Sequence, residues 1–470
     1  MYYRLNDDYK LCGWNGLPFA IRGPQKDYHY DREQYRFVLQ CDGVTEITDG
    51  ELSTEQLALR DELLECGMIT SSNERLSKLS LSQQYNKYDS PYIMEMTWGV
   101  TGKCNYQCLH CFMSAPKGIH PEPTWNMCVH VLDEFSSCGI RDLVLTGGEP
   151  FFRKDISKLL VEMKKRNIRV NGVLSNGSLI TDEILEAFRE NDMHPLFSIS
   201  FDGIYYHDKI RGVPGARIAA EKAIKKVIGH GCSVSCNMCL NKNNAGELMD
   251  TVNYLDALGV EFIHISSVNE EGLWKEFNKK NSLTYDEQLQ VLLEYIPHYY
   301  KGRVKTGFVY QGWFTAKGFD GEYSSGHLVN HEQETDFSKK PLCSSPKLKA
   351  FLNAEGMLSP CIPMDGKMPD NKYMSIYERP LKELFTDSAW TEFNKLTKED
   401  YLQRNVRCKS CEYRLQCNFG CPAAGFIDHD RFWGIDEKNC FFLKNRCAEK
   451  ILKVARYASL QKIKQKGVYV

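Results

Sequence analysis

The sequence has no long hydrophobic run and no strong excess of either charge. No window approaches the roughly eighteen consecutive apolar residues of a membrane-spanning helix. The N-terminal stretch MYYRLNDDYKLCGW lacks the basic and then apolar order of a secretion signal. The net charge is -2 with 26% charged residues, which argues against a basic nucleic-acid-binding surface and an acidic tail. We therefore expect a globular, cytoplasmic protein with neither a membrane nor a nucleic acid as partner.

Cysteine, in contrast, is abundant, with 19 in 470 residues. In a reducing compartment, such usage indicates metal ligation rather than disulfide bonds. A secreted, disulfide-rich protein is the alternative, and the missing secretion signal disfavours it. A chain of this length accommodates one large catalytic domain with one or two small ones.

Residues 1–85 are predicted to form a small α+β domain. Extended segments YYRLNDDYKLCGW, LPFAIRG and YRFVLQCDG precede the helical stretch STEQLALRDELLECGMI, where Ser53 and Gln56 have the spacing of a capping box. The polar run SSNERLSKLSLSQQYNKYDSP follows and is predicted to be a linker.

Residues 86–310 alternate short apolar runs with amphipathic helices. The candidate strands are YIMEMTWGV, DLVLTGG, VNGVLSNG, LFSISFDG, SVSCNMCLN and EFIHISSV. Six such repeats predict an α/β domain with a parallel sheet, whose functional loops follow the C-terminal ends of the strands. These loops contain TGKCNYQC, TGGEP, SNGS and SFDG, so we expect the active site there. Residues 311–470 are predicted to form a cysteine-rich domain with a closing C-terminal helix.

The stretch TGKCNYQCLHCFMSAPKG places Cys104, Cys108 and Cys111 at a C-x3-C-x2-C spacing. Three thiolates can hold three irons of a 4Fe-4S cluster and leave the fourth iron open to a small molecule. Structural zinc sites instead close with a fourth ligand. Three unrelated thiols are the alternative. The strand before the loop, and LVLTGGEPFFR one repeat later, favour the cluster.

This combination resembles the radical S-adenosylmethionine (SAM) enzymes, whose signature is C-x3-C-x-aromatic-C and whose fold is a partial (β/α)6 TIM-like barrel. The resemblance implies that Cys104, Cys108 and Cys111 hold the catalytic cluster. SAM would bind the open iron through its amino and carboxylate groups. His110 stands where the family has an aromatic residue, and its ring would stack against the adenine.

The resemblance also implies further contacts to SAM at the strand ends. In TGGEP, a backbone without side chains would approach the methionine amino group, with Glu149 as its acceptor. Arg211, in HDKIRG, is expected to pair with the carboxylate. Ser175, Asn176 and Ser200 would lie near the ribose or the methionine, although each polar residue alone also fits a turn or a cap. The predicted cofactor-binding set is His110, Gly147, Gly148, Glu149, Ser175, Asn176, Ser200 and Arg211.

The C-terminal cysteines resemble the SPASM domain, which holds two auxiliary 4Fe-4S clusters in that family and would bring the total to three clusters. The implied ligands of the first auxiliary cluster are Cys343, Cys361 and Cys421, and those of the second are Cys408, Cys411, Cys417 and Cys440. The first set lacks a fourth ligand: either Cys447 supplies it, or the iron stays open to substrate. A zinc ribbon is the alternative for this motif.

A second C-x3-C-x2-C pattern, CSVSCNMC, lies within a predicted barrel strand. Alternation along a strand places Cys236 and Cys239 on opposite faces, so we predict buried thiols rather than a cluster. A thiol that faces the barrel lumen could still deliver a hydrogen atom to a substrate.

SPASM enzymes commonly act on peptides, and residues 1–85 resemble the winged-helix-like leader-recognition element of ribosomal-peptide maturases. Such an element captures a leader peptide as an added strand; a plain scaffold or dimerisation module is the alternative. The resemblance implies a radical SAM peptide maturase that crosslinks a ribosomally synthesised precursor peptide, with a thioether bond slightly favoured. An electron donor such as flavodoxin or ferredoxin is implied as a partner. Carbon–carbon crosslinking, peptide epimerisation, sulfatase (formylglycine) maturation and a non-catalytic iron–sulfur electron carrier remain open.

Overall fold

The computed structural model describes residues 1–111, 113–115, 118, 120–268, 270, 272–326, 336–343, 348–367, 375–429, 431 and 433–465. The chain forms two compact units. The first combines Met1–Ile93 with Glu134–Ile140 and Leu381–Phe385, and the second contains the remaining residues. Two short segments from much later in the chain therefore belong with the N-terminal segment.

The first unit consists of two small sheets and two main helices. Its strands are β1 (Tyr2–Leu5), β2 (Lys10–Asn15), β3 (Leu17–Arg22), β4 (Asp27–His29), β5 (Asp42–Glu46), β6 (Ile69–Ser72) and β7 (Asn86–Pro91), and its helices are α1 (Arg32–Gln40) and α2 (Thr54–Glu65). One sheet has the order β5-β1-β6 and the other β4-β3-β2-β7. A core that includes Leu5, Phe37 and Leu63 fills the unit.

Two local predictions for this unit are wrong. The segment YRFVLQ is helical rather than extended, because Asp31 and Gln34 form a capping box that begins α1. The helix buries Tyr35, Phe37 and Val38, and these aromatic and β-branched residues also suit a strand. The predicted linker contains β7, which pairs in parallel with β2 and so belongs to the sheet.

The six predicted barrel strands are confirmed. They are β8 (Glu95–Gly99), β9 (Asp142–Thr146), β10 (Arg169–Ser175), β11 (Leu196–Ser200), β12 (Val234–Leu240) and β13 (Phe262–Ser267). Each strand pairs in parallel with the next one along the chain. The register places Trp98 opposite Leu145 and Leu145 opposite Val173. All six C-terminal ends therefore lie along one edge of the sheet.

The same sheet continues beyond these six strands. On one side, β14 (Gly307–Tyr310) pairs in parallel with β13, and β15 (Phe314–Ala316) and β16 (Tyr323–Ser324) follow antiparallel. On the other side, β17 (Lys349–Leu352) pairs in parallel with β8, and β18 (Leu358–Ser359) pairs with β17. The C-terminal region thus contributes strands to one 11-stranded sheet. This is the α/β class predicted from the sequence.

Helices connect the strands and build the C-terminal region. Those before residue 302 are α3 (Trp125–Ser137), α4 (Ile156–Lys165), α5 (Asp182–Glu190), α6 (His207–Arg211), α7 (Ala216–Gly229), α8 (Leu248–Leu258), α9 (Gly272–Phe277) and α10 (Tyr285–Lys301). Those after it are α11 (Leu381–Leu384), α12 (Ser388–Lys395), α13 (Lys398–Arg404), α14 (Val406–Lys409), α15 (Pro422–His429), α16 (Glu437–Lys444) and α17 (Cys447–Gln465). Within the described ranges, no helix is long and apolar enough to cross a lipid bilayer.

Candidate active site

The three-cysteine loop directly follows β8 at the C-terminal edge of the sheet. The Tyr106 N–H points at Cys104 Sγ at 3.4 Å, and the Ala115 N–H points at Cys111 Sγ at 3.3 Å. Burial raises the pKa of Cys104 to about 12, and the neighbouring thiols Cys108 and Cys111 add to the rise. Neighbouring, largely desolvated sulfurs that accept N–H bonds suit iron, because a metal supplies the positive charge that keeps such thiolates ionised. The donor set therefore fits a 4Fe-4S cluster.

Gly147 and Gly148 are packed against the backbone of the cysteine loop. A Cβ atom at Gly147 would lie 2.2 Å from the carbonyl oxygen of Thr101, and one at Gly148 would lie 2.2 Å from that of Lys103. The Gly148 N–H donates to Thr101 O, and the Glu149 N–H donates to Lys103 O, both at 2.9 Å. The two glycines are thus required where this loop meets the cysteine loop. Their approach to the SAM amino group stays a prediction.

Glu149 lies at the centre of a buried hydrogen-bond network. Its carboxylate accepts the Ser175 hydroxyl and the Asn176 N–H, both at 2.8 Å, and the Phe151 N–H at 3.3 Å. Burial raises the pKa of Glu149 to about 7, although these bonds favour the ionised form. The carboxyl is therefore poised to change its charge near neutral pH.

Asn176 connects this network to the cysteine loop. Its side-chain amide donates to Asn105 Oδ1 at 3.0 Å, and the Asn105 amide donates to Ser178 Oγ at 2.9 Å. The Ser178 hydroxyl returns to Asn176 Oδ1 at 2.7 Å, which closes a ring of three polar side chains. Asn105 and Ser178 were not among the predicted site residues, although both stand within quoted motifs.

Arg211 and His110 face the same buried carboxylate, Asp202. The Arg211 guanidinium donates to Asp202 at 2.6 Å. Atoms of His110, Asp202 and Cys239 that could bind a metal lie within 4.8 Å of one another. Burial and the Arg211 charge lower the pKa of His110 to about 4, so its ring is neutral. Stacking of this ring on adenine stays a prediction.

Ser200 ends β11, two residues before Asp202. Asp202 lies in the segment SFDG at the end of this strand, but it was not among the predicted site residues. A signal was available, because Asp202 and Arg211 belong to one short segment and could pair within it. On β12, Cys236 is wholly buried, while Cys239 lies 3.8 Å from the Ser266 hydroxyl. Cys239 is on the side of Asp202, because its N–H donates to the Asp202 carboxylate at 2.8 Å and its thiol lies within 4.8 Å of that carboxylate.

The four C-terminal cysteines predicted to share a cluster lie close enough for their charges to act on one another. Cys417 Sγ accepts the Phe419 N–H and the Asn439 side-chain amide, both at 3.2 Å. Burial raises the pKa of Cys417 to about 12, with contributions from Cys440 and Cys408. Burial also raises the pKa of Cys408, with a contribution from Cys411. These four thiols fit the ligand set of a closed cluster.

The set of three is grouped in the same way. Burial raises the pKa of Cys361 to about 12, and the charges of Cys421 and Cys343 add to the rise. The Cys421 N–H donates to Asp436 at 2.9 Å. The half-buried Lys438 lies near Cys421, and desolvation lowers the pKa of Lys438 to about 8.

Cys447 begins α17 and is wholly buried. Burial raises the pKa of Cys447 to about 11, and the charges that act on this thiol are those of Lys450 and Asp286. Lys450 follows Cys447 by less than one helical turn, and Asp286 opens α10. The surroundings of Cys447 are thus formed by α10 and α17, whereas Cys361 is surrounded by Cys421 and Cys343.

A parallel α/β sheet with three grouped thiols at its C-terminal edge, beside a Gly-Gly-Glu loop, defines an iron–sulfur enzyme of the kind that binds SAM. Residues 98–255 match the family described as the Radical SAM superfamily. These residues form a radical SAM domain, and the cysteine-rich C-terminal region fits the SPASM pattern.

Relatives and solved structures extend this assignment. The chain is 26% identical over 349 residues to the AdoMet-dependent heme synthase of Methanosarcina barkeri, covering 70% of this chain and 91% of that protein. It is 25% identical over 274 residues to the sporulation killing factor maturation protein SkfB of Bacillus subtilis, covering 58% and 61%. The fold is similar to that in the crystal structure of Streptococcus suis SuiB bound to the precursor peptide SuiA. The match covers 93% of this chain and 99% of the SuiB chain, with a TM-score of 0.62 at 15% identity. The structural similarity shows a shared fold.

Proposed function

We propose that this radical SAM enzyme crosslinks a ribosomally synthesised peptide, with a thioether as the bond formed. The proposal is carried by the spacing of seven C-terminal cysteines, which predicts a set of three and a set of four cluster ligands. Two auxiliary clusters suit an oxidation that must pass on an electron. The relative SkfB, a maturation protein for a killing factor, and the fold shared with peptide-bound SuiB support a peptide substrate.

In this proposal, Cys104, Cys108 and Cys111 hold the SAM-binding cluster. When bound, cluster and SAM supply a 5′-deoxyadenosyl radical that abstracts a hydrogen atom. The protein's own residues would bind and orient the cluster and SAM, and would exclude water from the site. The buried Glu149 network and the glycine-lined loop would hold the methionine end of SAM, with Arg211 as a charged partner.

Formation of a thioether from a C–H and an S–H group removes two electrons and two protons from the peptide. The hydrogen-atom abstraction accounts for one electron and one proton. The second electron needs an acceptor. The auxiliary clusters would accept this electron, and the thiol proton would pass to solvent. Cys343, Cys361 and Cys421 would leave one iron open to the substrate thiolate, and this fits the separate surroundings of Cys447. A flavodoxin or ferredoxin would deliver the electron that starts each cycle.

The first unit is proposed to capture the leader peptide. Its second sheet ends at β4 within the described part of the chain. Hydrogen bonds from Gly23 N–H to Lys26 O and from Tyr30 N–H to Phe19 O fix the register between β3 and β4. Alternate residues of an antiparallel strand turn their main-chain groups outward, so those of His29 face the outer edge. An extended leader can add there as a further strand.

We retain the predicted division into a leader-recognition domain (1–85), a radical SAM barrel (86–310) and a SPASM domain (311–470) as part of this proposal. A cytoplasmic location belongs to it as well, because numerous free thiols and oxygen-sensitive clusters require a reducing compartment.

The direct test is the mass of the peptide product after reaction in deuterated water. A crosslinked peptide is lighter by two hydrogen atoms and takes up no solvent deuterium at the reacting carbon. An epimer instead keeps its composition and gains one deuterium. Loss of two hydrogens supports the crosslink, and tandem mass spectrometry distinguishes a thioether from a carbon–carbon bond. A gain of one deuterium without a crosslink would overturn the proposal.

Epimerisation is the second candidate, and Cys239 favours it. This thiol lies on the side of the sheet that faces Asp202 and Arg211, where a substrate radical would be quenched by a hydrogen atom. Replacement of Cys239 by Ala would then abolish deuterium uptake. A crosslinking enzyme would retain its product after this substitution.

Three further activities remain as alternatives. Tetrapyrrole chemistry is suggested by the heme synthase relative, and sulfatase maturation by the general resemblance. The first predicts a modified tetrapyrrole and the second a modified sulfatase peptide. Neither predicts a modified precursor peptide. A non-catalytic electron carrier would not cleave SAM when reduced with dithionite, so a simple assay for 5′-deoxyadenosine separates it from every enzyme.

A further inference from the structure

A buried ion pair between Asp202 and Arg211 lies beside Cys108, the second cysteine of the triad. Asp202 follows β11 and is wholly buried, and Arg211 ends α6 and is almost wholly buried. The Arg211 Nε donates to Asp202 Oδ2 at 2.6 Å. Its Nη1 points at Cys108 Sγ at 3.8 Å. The pair is therefore oriented, with its positive end on a cluster ligand and its negative end behind.

Asp202 is fixed from three directions. Its other carboxylate oxygen accepts the Cys239 N–H at 2.8 Å, and its own N–H donates to His207 Nδ1 at 2.9 Å. The side-chain amide of Asn244 donates to the Asp202 carbonyl at 2.8 Å. These bonds hold the backbone of Asp202 at two points and its carboxylate at one, which positions the guanidinium that contacts Cys108.

The charges of this group exclude a simpler interpretation. His110, Asp202 and Cys239 could in principle bind a metal ion. However, the Arg211 guanidinium already neutralises Asp202, and a buried cation beside it would be repelled. The group is better described as the support of one guanidinium than as a second metal site.

We propose that the oriented Asp202–Arg211 pair raises the reduction potential of the cluster held by the triad. A reduced cluster carries one more negative charge than an oxidised one. A positive, hydrogen-bonding group at a ligand sulfur therefore stabilises the reduced state more. Arg211 acts on the cluster through Cys108, and Asp202 is the residue that positions Arg211. The inference concerns cluster reduction and holds whatever the substrate is.

This role is separate from the predicted contact between Arg211 and the SAM carboxylate. A guanidinium has five N–H donors, so it can hold Asp202 and Cys108 and still offer donors to a carboxylate. Measurements without SAM isolate the effect on the cluster. They are made on the full-length, iron-loaded protein by reductive titration with dithionite, followed by electron paramagnetic resonance. The auxiliary signals are subtracted with the variant in which Cys104, Cys108 and Cys111 are all replaced by Ala.

Arg211→Met should lower the ratio of reduced to oxidised triad cluster about tenfold at a fixed potential, a shift of about 59 mV for one electron. Arg211→Lys, which keeps the charge but loses the planar fork, should recover part of the shift. Arg217→Met is the matched control. Arg217 pairs with Glu221 and makes no contact with a cysteine within the described residues, so its loss should leave the potential unchanged.

A double variant tests the orientation of the pair. Asp202→Asn combined with Arg211→Gln removes both charges, so the net charge beside the cluster is unchanged. The potential should still fall, because the lost positive end was the nearer one. An unchanged potential in this variant or in Arg211→Met, with full iron loading, would overturn the proposal. If Arg211→Met loads poorly, the double variant decides, because it leaves no unpaired buried charge.

Discussion

The carboxylate of Glu149 accepts the main-chain N–H of Asn176 at 2.8 Å. Glu149 lies just beyond the end of β9 and Asn176 just beyond that of β10, so this bond joins two adjacent loops at the C-terminal edge of the sheet. Because burial raises the pKa of Glu149 to about 7, the charge at this junction changes near neutral pH.

We expect the affinity for SAM to rise with pH through about 7. Only ionised Glu149 attracts the SAM amino group, and the ionised fraction falls as the pH drops below the raised pKa. Glu149→Gln should bind SAM about tenfold more weakly above this pH, since a charge-assisted hydrogen bond contributes about 1.5–3 kcal/mol. Equilibrium dialysis should show that the variant loses the rise in affinity near pH 7, apart from any pH dependence that the amino group of SAM itself contributes. A flat wild-type profile would contradict a role for Glu149.

Loss of the triad should remove one cluster and all SAM chemistry. With three clusters, the reconstituted protein carries about twelve irons. Replacement of Cys104, Cys108 and Cys111 together by Ala should remove about a third of the iron and abolish formation of 5′-deoxyadenosine. Iron analysis and chromatography measure the two quantities. Retained SAM cleavage would show that these cysteines do not hold the catalytic cluster.

Differential alkylation should separate ligand cysteines from structural ones. The ten predicted ligands should resist iodoacetamide while iron is bound and react once it is removed with a chelator. Cys66 is exposed and should react in both states. Cys128 and Cys138 should react in neither, because both are almost completely buried in the protein core.

Cys447 is the informative residue in this experiment. Cys447 begins α17 and is buried near α10. We therefore expect it to be protected with and without iron, as for Cys128. Peptide mapping by mass spectrometry reports each cysteine separately. Reaction of Cys447 only after iron removal would identify it as the fourth ligand of the first auxiliary cluster, and the proposed open iron would then be wrong.

A single proline should weaken leader binding if the peptide adds to β4. His29→Pro removes an N–H that faces the outer edge, and edge strands tolerate proline at such positions. His29→Ala removes the same side chain but keeps the N–H, so the difference between the two reports the main-chain bond. We expect leader affinity to fall about five- to tenfold relative to His29→Ala, by fluorescence anisotropy. Equal affinities would exclude β4 as the docking edge.

The six barrel strands were predictable because each is a short apolar run, and four of the six segments end in glycine or asparagine. Helix α1 was not, because aromatic and β-branched residues at Tyr35, Phe37 and Val38 satisfy both helical and strand patterns. Its capping box, Asp31 with Gln34, was the available signal. Strand β7 was missed since a polar edge strand has no apolar alternation to identify it.

Cysteine spacing predicted the ligand sets, since spacing along the chain is a local property. The contact of Arg211 with both Asp202 and Cys108 was not predictable in the same way. It depends on how α6 returns to the cysteine loop, where the Leu109 N–H donates to the Ile210 carbonyl at 2.8 Å. Such an encounter between distant segments is set by the three-dimensional fold.

Because β8 pairs with β17, the sheet around β8 is completed only after β17 has been synthesised. Lys349 on β17 forms an ion pair with Glu95 on β8 across 254 residues of chain. At roughly 5–20 residues per second, a ribosome needs tens of seconds to make that stretch. Throughout this time, one edge of β8 has unpaired main-chain groups that other nascent chains can engage. The first strand of the barrel to be synthesised is therefore among the last to be fully enclosed.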